Sequence, residues 1–342
     1  MRIERADPVS DTGAVRACHE IYLAAAHADG MRRPTMSPRT FRAWLRYGWT
    51  EDPSEAWLAH DEDGEVCGWY LVSMPERENR HLAEVNLLVA PVRRRAGLGA
   101  ALLSHAADRA RQAGRTLLTG HTEESSAGTA FARTFGARHR LTGTFSVLRL
   151  RSIPAGHLPE LRRKAAAAAA GYSLVSWEGP TAEHRLTDVA ALLGAEADAP
   201  RAAGEEPQGW DAARVRAADQ RLADQGWRFY SLAARAERGG TLVAITQLGV
   251  DPLDAGWGFQ SLTAVAGPHR GRRLGLLVKV AMLELLAAHE PQLTQIETMT
   301  AEGNEHMDAI NTELGFTVLE RQLNWELETA RIPRPAGPGT QS

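Results

Sequence analysis

The chain has 342 residues, enough for about two domains at roughly 150 residues each. Hydrophobic residues make up 44% and charged residues 24%, and 39 Lys plus Arg against 42 Asp plus Glu leave a net charge of −3. That balance argues against general affinity for nucleic acid or anionic membrane. Cys18 and Cys67 are too few for a disulfide framework or a cysteine metal site, and the twelve histidines show no H-x-x-x-H or H-E-x-x-H cluster, so no metal is expected. With no signal-peptide core and no apolar run near ~20 residues, the expectation is a soluble, reduced, cytoplasmic protein.

In chain order, patterning predicts strands at 2–6, 56–60, 66–74, 82–89, 116–120 and 140–150 in the first half. Helices are predicted at 11–28, 38–48, 97–113 and 125–135. The segment 152–170, with its alanine run between Pro154 and Gly171, reads as a linker with helical bias. The second half predicts strands at 173–178, 228–236, 241–249, 257–265, 294–299 and 316–327, and helices at 183–194, 211–225, 273–289 and 304–314. Each half has the order β-α-α-β-β-β-α-β-α-β-β, an α/β (α+β) class. Hairpins such as 56–74 imply a mixed, mostly antiparallel sheet flanked by helices. The division expected is 1–151, linker 152–170, 171–330, and a Pro/Gly-rich disordered tail at 331–342.

The halves repeat one plan. Val89 and Val265, Arg94 and Arg270, and Gly99 and Gly275 each stand 176 positions apart; Gly136 and Gly315 stand 179 apart. In both, a strand runs into an Arg/Gly-rich turn that opens a helix. Glycine lets backbone approach a ligand, and the unpaired N–H groups of a first helical turn attract a diphosphate. A tight turn with a solvated basic face is the plainer account of one such turn, and much less so of two at a fixed spacing. The dinucleotide-binding glycine pattern fails because Leu102 holds the third glycine position, and no Gly-Lys-Ser/Thr follows.

What remains is Arg-x-x-Gly-x-Gly, which resembles the pyrophosphate signature of the GNAT superfamily of acyl-CoA N-acyltransferases. Arg94, Gly97 and Gly99 match it; Arg270 and Gly275 match in the second half, where Arg273 replaces the first glycine. With Asp198-Ala199-Pro200, Gln260, Thr263, Val265 and the run Asn304 to Phe316, the resemblance covers nearly the whole chain. The arrangement is similar to mycothiol synthase and related tandem two-domain acetyltransferases of actinobacterial type. It implies two tandem GNAT domains using acetyl-CoA, or another acyl-CoA. The cofactor residues it implies are Leu87, Leu88, Val89, Arg94, Arg95, Gly97, Leu98 and Gly99. In the second half they are Thr263, Ala264, Val265, Arg270, Gly271, Arg273, Leu274, Gly275, Asn304 and Asn311.

Acyl transfer to an amine needs a neutral nucleophile and a proton source for the departing thiolate. Glu84 is the acidic residue on the predicted strand 82–89, with Asn86 on its face, and is the candidate base; a solvated charge on an open sheet face weighs equally. Gln260 stands at the matching place in the second half, with Leu262 beyond it; Glu297, Glu302, His269 and His306 are weaker candidates nearby. The tyrosine that many family members use as thiolate acid is replaced by Asn311, and by Ala132 in the first half. Arg32 and Arg33 beside Trp44, Tyr47 and Trp49 would suit an anionic acceptor, although an amphipathic helix burying Phe41, Trp44 and Leu45 is the plainer reading. Asp198, Glu205 and Glu206 would attract a cationic amine to the second half. The function expected is N-acetyl transfer to a primary amine of a small molecule, with chemistry in the first half. A non-catalytic acyl-CoA-binding scaffold and a protein-lysine acetyltransferase are the alternatives. Nucleic acid and membrane partners are not expected, and the oligomeric state is not legible.

Overall fold

Alternating apolar residues bounded by capped helices produce the elements almost where patterning puts them. The computed structural model describes residues 1–48, 52, 54–195, 200–251 and 253–334. They form two compact units. Unit 1 holds Met1–Thr142, Ala202–Glu206 and the described residues from Arg321 on; unit 2 holds Gly143–Arg201 and Pro207–Glu320.

Unit 1 opens with β1 (Arg2–Ala6), α1 (Thr12–Ala28) and α2 (Pro38–Tyr47). Asp11 caps α1 by accepting from the Ala14 N–H at 2.8 Å, and Ser37 caps α2 with Pro38 at its first position. Then follow β2 (Ser54–His60), β3 (Val66–Ser73), β4 (Leu82–Val89), α3 (Leu98–Gln112), β5 (Leu117–Glu123) and α4 (Ala127–Thr134). The sheet runs β1-β2-β3-β4-β5, all antiparallel neighbours except the parallel pair β4–β5. One face packs on α1 and α2 through Leu58, Trp69 and Leu71, with Phe41, Trp44 and Leu45 buried there. The other packs on α3 through Tyr70, Val72, Ala83 and Leu102.

The last strand of unit 1 comes from the far end of the chain. In β12 (Thr317–Glu328), Gln322–Glu328 pair antiparallel with all of β5. Leu327 and Ile332 join the α3 core, and Ser104 Oγ donates to the Pro333 carbonyl at 2.5 Å. Residues 331–334 are therefore packed and not tail; the rest of the expected tail lies outside the described residues.

Unit 2 takes the end of β6 (Arg138–Arg149) in return, pairing 143–149 antiparallel with β11 (Gln295–Ala301). The expected linker contains α5 (His157–Ala168), whose Leu161 and Ala165 lie in the core of unit 2. After it come β7 (Tyr172–Glu178), α6 (Leu186–Gly194), α7 (Ala212–Asp224), β8 (Arg228–Ala236), β9 (Leu242–Val250), β10 (Trp257–Val265), α8 (Leu274–His289) and α9 (Glu305–Leu314). Strand order is β6-β11-β10-β9-β8-β7, with β10–β11 the parallel pair. Each half ends on one twelve-residue strand, β6 or β12, where patterning counted two. In each unit the strand pairing is thus mixed and mostly antiparallel, flanked by helices, as expected. Among the described residues no helix is long and apolar enough to cross a membrane.

Candidate active site

The two Arg/Gly turns have matching backbones. Each needs two residues in the left-handed region: Arg95 (φ 67) and Gly97 (φ 81) in unit 1, Gly271 (φ 76) and Arg273 (φ 55) in unit 2. Each half fills one position with glycine and the other with arginine, in opposite order. That explains Arg273 at a glycine position, at a cost of about 1–2 kcal/mol. No side chain caps α3 or α8. Among the described residues no acceptor meets the backbone N–H groups of Arg95, Ala96, Gly97, Leu98, Gly99 and Ala100, and the same holds from Gly271 through Leu276. Unpaired donors at a helix start are the arrangement that attracts an anion. Gly99 and Gly275 each face the following helix: a Cβ would lie 3.1 Å from Phe131 or from Ile310.

The signature arginines hold these turns instead of reaching outward. Arg94 donates bidentately to Asp29, at the end of α1, at 2.7 and 2.8 Å, and its Nε lies 3.4 Å from the Val89 carbonyl. Arg270 Nε donates to the Val265 carbonyl at 3.1 Å, and Nη2 lies 3.5 Å from the Ala195 carbonyl at the end of α6. Arg273 reaches Glu313 at 3.1 Å. Arg95 is exposed, with no ion pair among the described residues.

Beyond each turn the parallel strands part. The β4–β5 pairing ends at Glu84↔Thr119, leaving Leu87, Leu88 and Val89 past the last rung. The β10–β11 pairing ends at Gln260↔Thr298, before Thr263, Ala264 and Val265. Glu84 lies opposite Ser73, and Asn86 opposite Leu71, so both stand on the α1/α2 face of unit 1. Thr119, His121 and Glu123 alternate along β5 on that face. Glu84 is half-buried and, among the described residues, accepts only from Asn86 Nδ2, at 3.5 Å. Burial pushes the His121 imidazole below its ordinary value; the Glu84 carboxylate opposes that and Arg33 adds to it.

Unit 2 does not reproduce this arrangement. An extra residue between Gln260 and Leu262 breaks the β9–β10 register. The bulge turns Gln260 to the α8 face, where its Nε2 donates to the buried Thr246 Oγ1 at 2.8 Å. Gln260 therefore shares a sequence place with Glu84 but not a face. The carboxylate on the opposite face is Glu297, buried on β11, on the side away from Thr300, whose hydroxyl donates to Asp308 of α9. His269 pairs with the Tyr172 hydroxyl at 2.8 Å.

Other expected residues are committed elsewhere. Asn304 caps α9, accepting from the Met307 N–H at 3.3 Å. Asn311 is 4% exposed and accepts from Lys279 Nζ at 2.5 Å, while its own Nδ2 has no partner among the described residues. Burial pushes the Lys279 amine down to about 7. Glu205 and Glu206 belong to unit 1, Glu205 near Arg140 at 3.8 Å and Glu206 bonded to Asn79 at 2.8–3.0 Å. Trp44 is core; the Tyr47 side chain, Trp49, Asp198 and Ala199 lie outside the described residues. Patterning missed His121 and Lys279. The Thr119/His121/Glu123 alternation and the single lysine of a largely apolar helix were the available signals.

Residues 17–137 match the Acetyltransferase (GNAT) family, so the chain carries a GNAT acetyltransferase domain and is an acyltransferase by class. Its fold over nearly the whole chain is that of a tandem GNAT protein from the clavulanic acid biosynthesis pathway, with 27% identity, 96% of this chain and 98% of that one covered, and a TM-score of 0.76. A GCN5-related N-acetyltransferase from Sphaerobacter thermophilus shares the fold at 18% identity, covering 97% and 96% of the two chains with a TM-score of 0.68. A putative acetyltransferase from Pyrococcus horikoshii does so at 14% identity, 96% and 89% coverage, and a TM-score of 0.56. Among curated proteins none matches the chain.

Proposed function

We propose that the protein transfers an acyl group, acetyl in the simplest case, from acyl-CoA to the primary amine of a small molecule, and that unit 1 carries the reaction. The carrying observation is Glu84, half-buried where β4 leaves β5 and held by a single weak contact at 3.5 Å. In this reading the N–H cradle from Arg95 to Ala100 takes the diphosphate, and the open edge of Leu87 to Val89 takes the pantetheine arm. Acyl-CoA supplies the activated carbonyl. Glu84 binds the acceptor's ammonium group and so positions the amine whose proton must leave before attack. Arg94 acts at one remove, keeping the turn closed through Asp29.

Unit 2 has an equivalent cradle but no carboxylate on β10, which favours acyl-CoA binding there without transfer. Calorimetric titration of acetyl-CoA into wild type, Gly99→Trp and Gly275→Trp tests both parts. The expected result is two sites, each lost in one variant, with turnover lost only in Gly99→Trp. Turnover that survives Gly99→Trp and vanishes in Gly275→Trp would move the chemistry to unit 2; a folded protein that binds no acetyl-CoA would sink the reading.

A further inference from the structure

On the α1/α2 face of unit 1, nearly every charged group beside the strand parting already has a partner. Glu123 pairs with Arg33 at 3.6 Å. Glu326, across from Thr119 on β12, binds Arg138 and Arg140, and Arg140 lies 3.8 Å from Glu205. Two ionisable groups stand apart from this. Glu84 has its one long contact to Asn86, and the His121 ring has no hydrogen-bond partner among the described residues. They share a face of adjoining strands at the point where β4 and β5 open, Glu84 in the last rung and His121 two residues past it. Gln322 and Asn324, the β12 residues opposite Glu123 and His121, bring no charge to the pair.

We infer that His121 is the base that takes the acceptor's proton, with Glu84 holding the ammonium group beside it. This rests on unit 1 being the reactive half. A carboxylate is poorly matched to an alkylammonium ion, whereas an imidazole kept neutral near pH 7 is a better acceptor. Burial and Arg33 disfavour the charged form of the imidazole, and the Glu84 charge favours the imidazolium once it forms. The ammonium N–H bond breaks and its proton goes to a ring nitrogen. The freed lone pair forms the N–C bond to the acyl carbonyl. The carbonyl π pair moves onto oxygen and returns as the C–S bond breaks. The attacking nitrogen, now positively charged, gives up its second proton, which passes through water to the departing thiolate, and His121 returns the first proton to solvent.

His121→Gln and His121→Ala, with Glu84→Gln beside them, are assayed with acetyl-CoA on alkylamines, which are protonated at neutral pH, and on alkoxyamines, which are not. The His121 variants should lose about 10²–10⁴-fold in kcat on alkylamines but under about tenfold on alkoxyamines, with acetyl-CoA affinity unchanged. Equal losses on both sets, or alkylamine activity close to wild type, would overturn the assignment. Impaired Glu84→Gln beside unimpaired His121 variants would sink this inference alone; full activity in Glu84→Gln would sink the reading beneath it. An NMR titration reports without turnover. The His121 imidazole should titrate below its ordinary value, and lower still in Glu84→Gln; an unmoved midpoint in that variant would break the pair.

Discussion

Units 1 and 2 have the same turn and different sites. Both open a helix on six N–H groups unpaired among the described residues, both place two left-handed residues in the turn, and both tie the signature arginine to the end of the preceding strand. The strand that would face the acceptor differs. β4 keeps register from Gly68↔Val89 to Ser73↔Glu84, so Glu84 and Asn86 look out on the α1/α2 face. β10 gains one residue at Ser261, and Gln260 turns inward to Thr246. Beneath the strands, Lys279 and Asn311 of unit 2 replace Leu103 and Ala132 of unit 1. The geometry of the turn survives such changes because it is made of backbone; the face a side chain presents does not, because one inserted residue reverses it.

The comparison can be broken most directly at Glu84. Glu84→Gln should lower kcat by about 10²–10⁴-fold with acetyl-CoA affinity retained, as read by steady-state kinetics and calorimetry. Gln260→Glu should restore nothing, since that carboxylate would be buried against Thr246. Lys279 sharpens the contrast through stability. Its folded value, about 7, lies below the ordinary 10.5, so the unfolded chain holds a proton that the folded one releases between those values. Wild-type stability should therefore rise with pH across that window, and the penalty is fully felt below about pH 7. Removing both partners, in Lys279→Met with Asn311→Leu, should stabilise the protein by up to roughly 4 kcal/mol near pH 6.5, the gain vanishing toward pH 10. Denaturant unfolding at both pH values checks this, and no gain at the lower pH would contradict it. Asp29→Ala gives the smallest effect: Arg94 loses its partly exposed clamp, worth about 1 kcal/mol, and acetyl-CoA binding in unit 1 should weaken several-fold. Unit 2 uses a backbone carbonyl there, so its affinity should not move.

Apolar periodicity and capping residues made the elements of both halves legible, with Asp11, Ser37 and Asn304 standing where helices begin. The repeat located both turns, and Glu84 was legible because a strand holds its faces by alternation. Gln260 was not, because a bulge is a property of the pairing with β9 and leaves no mark in β10 alone. His121 escaped because Thr-Gly-His-Thr-Glu reads as loop; its strand character depends on β12 lying alongside. The exchange of final strands escaped for a similar reason: β6 and β12 hold the same place in the repeat, so patterning cannot say which edge each completes.

That exchange has a consequence for synthesis. As the chain leaves the ribosome, β1 to β5 are available early, but the strand that covers β5 comes some two hundred residues later. Until then β5 exposes an unpaired edge carrying His121, and α3 lacks the Leu327 and Ile332 contacts. An unpaired edge invites pairing with a neighbouring nascent chain. Unit 1, which bears the proposed chemistry, is begun first and finished last, so shortening the chain before β12 would disable the half farthest from the cut in sequence.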